Sequence, residues 1–260
     1  MHNKQTSESS GTIIPIAILS LASFLLWSIF ARDFTPDFIT NAGELTRYLF
    51  VKGIFVVAFI VLLARTGTLA AAGFNRPIRP HSILWGAPFI GLGFMIFGPA
   101  LQTGLEMSAA NMMGWIVAVI LIGISEEGLF RGIVYRALAG TNLWLKAAIT
   151  SVAFGSLHLL GLWTDLDPAI VLAQSAFAAS VGLVLFNVRL SAGSVWTAIF
   201  LHALFDATAI IPSGGIGEML ADPAVLVPQM LVMTAVFLLW GGVSLFFLSR
   251  KQNLTPALAV

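Results

Sequence analysis

Residues 115–138 read WIVAVILIGISEEGLFRGIVYRAL. No charge interrupts the stretch from Trp115 to Ser125, and the whole run exceeds the roughly 20 mostly apolar residues that cross a hydrocarbon core. Yet Glu126 and Glu127 stand side by side in its middle, with Arg131 one turn further on. A charged side chain at the centre of a spanning helix costs about 2.5–3.5 kcal/mol on the insertion scale, so this cluster needs a compensating reason. A membrane helix with chemistry in it is the simplest reading.

The composition of the whole chain agrees. Of 260 residues, 58% are hydrophobic and 10% charged, against about half and about a quarter in a soluble domain; the mean hydropathy is +0.95. These values exclude disorder, a collagen-like chain and a disulfide scaffold. The formal net charge of +1 is too small for a nucleic-acid footprint. With no cysteine present, a cysteine nucleophile is excluded too, and the redox compartment stays unread.

Apolar runs occur at 12–30, 49–64, 83–101, 115–138, 147–163, 169–188, 195–211 and 225–248. The first is longer than a signal-peptide core, has only Lys4 as a basic side chain before it and no small-x-small site after it, so an uncleaved first span is expected. The sequence thus predicts an all-α polytopic membrane protein of about eight transmembrane helices. Its expected parts are a polar tail at 1–11, one membrane domain at 12–248 and a short tail at 249–260.

Charge placement orients it. With both termini in the cytoplasm, Lys4, Arg65, Arg76, Arg79, Arg136, Lys146, Arg189, Arg250 and Lys251 fall inside, leaving Arg32, Arg47 and Lys52 outside. Asp33, Asp37, Glu44, Glu106, Asp165, Asp167, Glu218 and Asp222 all fall outside. A multi-pass protein of the cytoplasmic membrane is expected. Small residues recur at Ala173, Ser175, Ala176, Ala178, Ala179, Ser180 and Gly182, a packing surface on which helices approach closely.

Three further ionisable side chains, His158, His202 and Asp206, lie inside apolar runs. Glu126, His158 and Asp206 each stand eleven residues into their own run, which at a rise of about 1.5 Å per residue is about 16 Å, near mid-membrane. His202 is one turn closer to the cytoplasm. Residues four apart share a helix face, so Glu127 and Arg131 are expected to form an ion pair, while Glu126 points about 100° away. The same spacing lets Asp206 orient His202 and puts Phe154 one turn before His158. Taken singly, the Glu127–Arg131 pair is equally well explained as an internal salt bridge, and each histidine as interhelical glue. Their common depth favours one shared site.

These residues resemble the motifs of the intramembrane glutamic endopeptidases, the CPBP (or ABI) family that includes the CAAX prenyl proteases. That family shows EExxxR, FxxxH and HxxxN or HxxxD in order; here stand Glu126-Glu127…Arg131, Phe154…His158 and His202…Asp206, within 115–211. The resemblance implies that Glu126 is the general base and that His158 holds the same water. It further implies that His202 and Asp206 stabilise the oxyanion, and that Glu127 and Arg131 fix the helix. Asp206 stands where many members have Asn. An ionised carboxylate cannot donate to an oxyanion, so Asp206 is expected to orient His202, which donates instead. No cofactor is implied. The expected substrate is a membrane-associated peptide or protein, and whether it is prenylated is open.

Other readings fit the same residues. Two imidazoles and two carboxylates are a plausible ligand set for a zinc-dependent membrane protease, although no HExxH pair is present. A proton-coupled transporter would use them as a relay. A non-catalytic scaffold or immunity protein would keep the fold without turnover.

Overall fold

The structure is a computed structural model that describes residues 13–25, 42–104, 107–164, 166–214 and 222–254. The expected tail at 1–11, Thr12, residues 26–30 of the first run, and Asp33, Asp37, Glu106, Asp165 and Glu218 lie outside the described residues.

Every described regular element is helical, as lipid demands: a backbone in hydrocarbon must satisfy its own N–H and C=O groups, and a helix does so within one segment. In chain order the helices are α1 (Ile13–Leu25), α2 (Ala42–Arg65), α3 (Ala87–Thr103), α4 (Ala109–Glu127), α5 (Leu143–Leu157), α6 (Pro168–Ala192), α7 (Trp196–Ile210) and α8 (Pro223–Leu254). Short helical pieces extend three of them. A 3-10 segment at Pro80–Gly86 leads into α3, a π-helical segment at Gly128–Val134 follows α4, and a 3-10 segment at His158–Trp163 follows α5. With these, six helices are long and apolar enough to cross a membrane. Ile13–Leu25 and Trp196–Ile210 are shorter; fifteen residues span only about 22 Å.

Polar side chains set where the helices start. Ser108 opens α4 by accepting from Asn111 N at 3.2 Å. Asn142 opens α5 through Trp144 N at 2.9 Å, and Asp167 opens α6 through Ala169 N at 2.7 Å, with Pro168 pre-set for the first turn. Gly193, at φ 64°, closes α6, a conformation that disfavours a side chain.

α6 packs against α5 and α8, and α4 against α2 and α7. Apolar side chains also cover the outside: Phe50, Ile54 and Val57 form an exposed stripe on α2, and Met95, Val232 and Leu239 are exposed on α3 and α8. In water such a surface would aggregate; in lipid it is solvated.

The small-residue stripe is a contact surface. A Cβ on Gly155 of α5 would lie 2.6 Å from the Ser175 carbonyl oxygen and 2.7 Å from the Ala179 Cβ. Ser175 Oγ donates back to the Gly155 carbonyl at 2.9 Å. Gly155→Val should therefore destabilise the protein by about 1–3 kcal/mol through overpacking. Gly53→Val, at a glycine with nothing within 4 Å of its Cβ position, should change stability by less than about 0.5 kcal/mol. Unfolding titrations in detergent would measure both.

Candidate active site

The site begins where α4 stops being regular. Its α-helical hydrogen bonding ends at Glu127, and the next seven residues wind as a π-helix, Gly128–Val134. Such widened turns are rare and gather at functional sites. The wider turn exposes carbonyls, and the buried Arg189 of α6 takes one, donating from Nε to the Arg131 carbonyl at 2.9 Å.

Glu127 and Arg131 form the expected ion pair, Nη1 to Oε1 at 3.0 Å, with both side chains 0% exposed. The guanidinium also lies over the Phe154 ring, 4.4 Å from its centre, a favourable contact for a cation. The same Glu127 oxygen accepts from His202 Nδ1 at 2.9 Å. One carboxylate oxygen thereby joins an arginine of its own helix to a histidine of α7.

That contact gives His202 a second carboxylate partner beside the expected Asp206. His202 is held at Nδ1 by Glu127, and Asp206 faces the opposite edge of the ring, with Oδ2 3.4 Å from Nε2. Glu126 Oε2 faces the same Nε2 at 4.0 Å. Glu126 and Asp206 are 18% and 20% exposed, unlike the enclosed Glu127. The two adjacent glutamates therefore have different surroundings.

His158 donates from Nδ1 to the Phe154 carbonyl at 3.4 Å. In the neutral ring this leaves Nε2 as an acceptor. The Phe154 ring stands edge-on to both imidazoles, its centroid 5.6 Å from that of His158 and 5.8 Å from that of His202. Glu126, His158, His202 and Asp206 all line one cavity of about 910 Å³. Its other walls are largely apolar, with Phe177, Phe205 and Met233 among them, and the exposed Met95 and Val232 stand at its edge.

Residues 108–208, which contain all six of these side chains, match the family model described as "Type II CAAX prenyl endopeptidase Rce1-like". That part of the chain is similar to a CAAX-protease-like domain. The chain is also similar to the UPF0177 protein YbdI of Lactococcus lactis subsp. lactis (strain IL1403). The two are 27% identical over 143 aligned positions, which cover 47% of this chain and 78% of that protein. No solved structure matches.

The cavity also takes in two buried side chains of α2 that were not among the sequence candidates. Tyr48 and Lys52, one turn apart on α2, both line it and are buried. Lys52 was counted with the outer side, but α2 begins at Ala42, seven residues before the apolar run at 49–64. The lysine is therefore helical and 2% exposed, with Nζ 5.3 Å from the centre of the Phe24 ring and within electrostatic range of Glu126. A cation four residues after a tyrosine on an otherwise apolar face was the available signal.

The donors do not fit a metal. Among the described residues no group of three or more His, Asp or Glu side chains is arranged to hold an ion. This argues against the zinc reading, whose ligands would have been Glu126, His158, His202 and Asp206.

Arg131→Met should leave a buried carboxylate without its counter-charge and cost about 3–5 kcal/mol. Adding Glu127→Gln should recover part of that loss, and a double-mutant cycle of unfolding free energies in detergent would measure the coupling. Additive losses would mean the pair is not coupled.

Proposed function

We propose that the protein is an intramembrane endopeptidase of the CPBP type. It hydrolyses a peptide bond of a membrane-associated peptide or protein with water as nucleophile and no covalent intermediate. The observation that supports this reading is that the Glu126 carboxylate lines one cavity together with two imidazoles, His158 and His202.

In this mechanism Glu126 takes a proton from a water held by His158 Nε2, and the hydroxide attacks the scissile carbonyl carbon. The π electrons of that carbonyl move to its oxygen. His202 is fixed from its Nδ1 side, so its Nε2 edge is turned to the developing oxyanion, with Asp206 beside it. Collapse of the tetrahedral intermediate breaks the C–N bond, and the amine leaves with the proton that Glu126 took. Glu127 and Arg131 touch no substrate; they position His202 and the helix that carries Glu126. The largely apolar walls suit a hydrophobic or lipid-linked chain, while the polar groups gather at one place, as a cleavage site requires.

The same reading counts α1 and α7 as membrane passes beside the six long helices, about eight in all, with both termini cytoplasmic in a single domain of the cytoplasmic membrane.

Purified wild type should cleave members of a panel of membrane-tethered peptides. Glu126→Ala and Glu126→Gln should each lower the rate by at least about a hundredfold, the usual size of a general-base contribution, without changing unfolding. A permeant chelator should leave the wild-type rate unchanged. Wild-type turnover by Glu126→Gln would overturn the peptidase reading and favour a non-catalytic scaffold. Proton flux in liposomes without cleavage would favour a transporter.

A further inference from the structure

Away from the cavity, four cations gather near the ends of neighbouring helices. Arg136 ends the helical run that follows α4, Lys146 lies in the first turn of α5, and Arg189 lies in the last turn of α6. Arg76 comes from the segment between α2 and α3. Two of the four meet on one ring. Lys146 Nζ is 4.7 Å and the Arg189 guanidinium carbon 4.9 Å from the centre of Tyr135. Lys146 is within electrostatic range of both Arg136 and Arg189, and Arg189 within range of Arg76.

Like charges this close repel, so the cluster calls for an anion. None is supplied locally: among the described residues no carboxylate forms an ion pair with any of the four. Arg189 donates to the carbonyls of Arg131 and Ala72, which satisfies its hydrogens and leaves its charge. Cations spread through loops would suffice for the orientation bias of a membrane protein; convergence on one aromatic ring asks for more.

The neighbouring surface identifies the kind of anion. Leu145, Ile149 and Val152 form an exposed apolar stripe at i, i+4 and i+7 of α5, running away from the level of Lys146. Trp144, also exposed, stands at the start of the same helix, where aromatic rings meet lipid headgroups. A free phosphate would use the cations and leave the stripe bare. A phospholipid uses both, its phosphodiester on the cations and an acyl chain along α5.

We infer that the edge formed by Arg136, Lys146 and Arg189 around Tyr135, with Arg76 beside Arg189, is a binding site for an anionic phospholipid. The site lies apart from the proposed catalytic cavity, and its occupation does not depend on peptidase activity.

The test is native mass spectrometry of the full chain released from detergent with matched amounts of phosphatidylglycerol and phosphatidylcholine. Wild type should retain phosphatidylglycerol preferentially. Arg136→Gln with Lys146→Gln should weaken that binding about fivefold per cation removed, the equivalent of about 1 kcal/mol each, with phosphatidylcholine unaffected. The charge-preserving pair Arg136→Lys with Lys146→Arg should keep the preference, which separates loss of charge from loss of fold. Equal retention of the two lipids by wild type, or unchanged phosphatidylglycerol binding by the Gln pair, would overturn the site. Loss in the charge-preserving pair would do the same. Displacement of phosphatidylglycerol by inorganic phosphate at the lipid's own concentration would overturn the lipid assignment in favour of a phosphate site.

Discussion

A carboxylate buried beyond reach of water governs this molecule. Glu127 and Arg131 are fully enclosed, and enclosing two charges costs several kcal/mol per ion before their attraction repays any of it. Repayment depends on geometry, and here it comes from three directions. Arg131 donates to Glu127, His202 donates to the same oxygen, and the Phe154 ring takes the face of the guanidinium. These contacts tie α4 to α7 and to α5. Removing one leaves the others facing an unpaired charge, so the arrangement is held as a unit.

Much of this was legible in the sequence, for identifiable reasons. Lipid imposes long apolar runs on spanning helices, and the six long helices show as runs in hydropathy. The Glu127–Arg131 pair follows from one-turn spacing, and the packing of Gly155 on Ser175 and Ala179 follows from a stripe of small residues. What was not legible is what depends on the third dimension. The spacing rule offered Asp206 as the group that orients His202, because the two are one turn apart. An imidazole has two edges, however, and the residue on the other edge is 75 positions away. The π-helical segment after Glu127 leaves no mark on hydropathy. Lys52 was not read as a cavity residue because a charge lowers local hydropathy whether it ends a helix or points into a cavity.

The division of labour between two adjacent glutamates follows from helix geometry. Consecutive residues point about 100° apart, so on a helix that lies between a packed interior and a cavity, one is enclosed when its neighbour is exposed. Glu127 turns inward to Arg131, and Glu126 turns to the cavity. Desolvation and pairing act on the first; partial hydration and neighbouring imidazoles act on the second. The change to a wider turn directly after Glu127 adds a further constraint. It lets Arg131 still reach Glu127 while the carbonyl of Arg131 is turned to Arg189. The two arginines are linked through the Arg131 backbone carbonyl. The basic edge of the protein and the interior of its site are thus joined by one contact, the hydrogen bond from Arg189 to the Arg131 carbonyl.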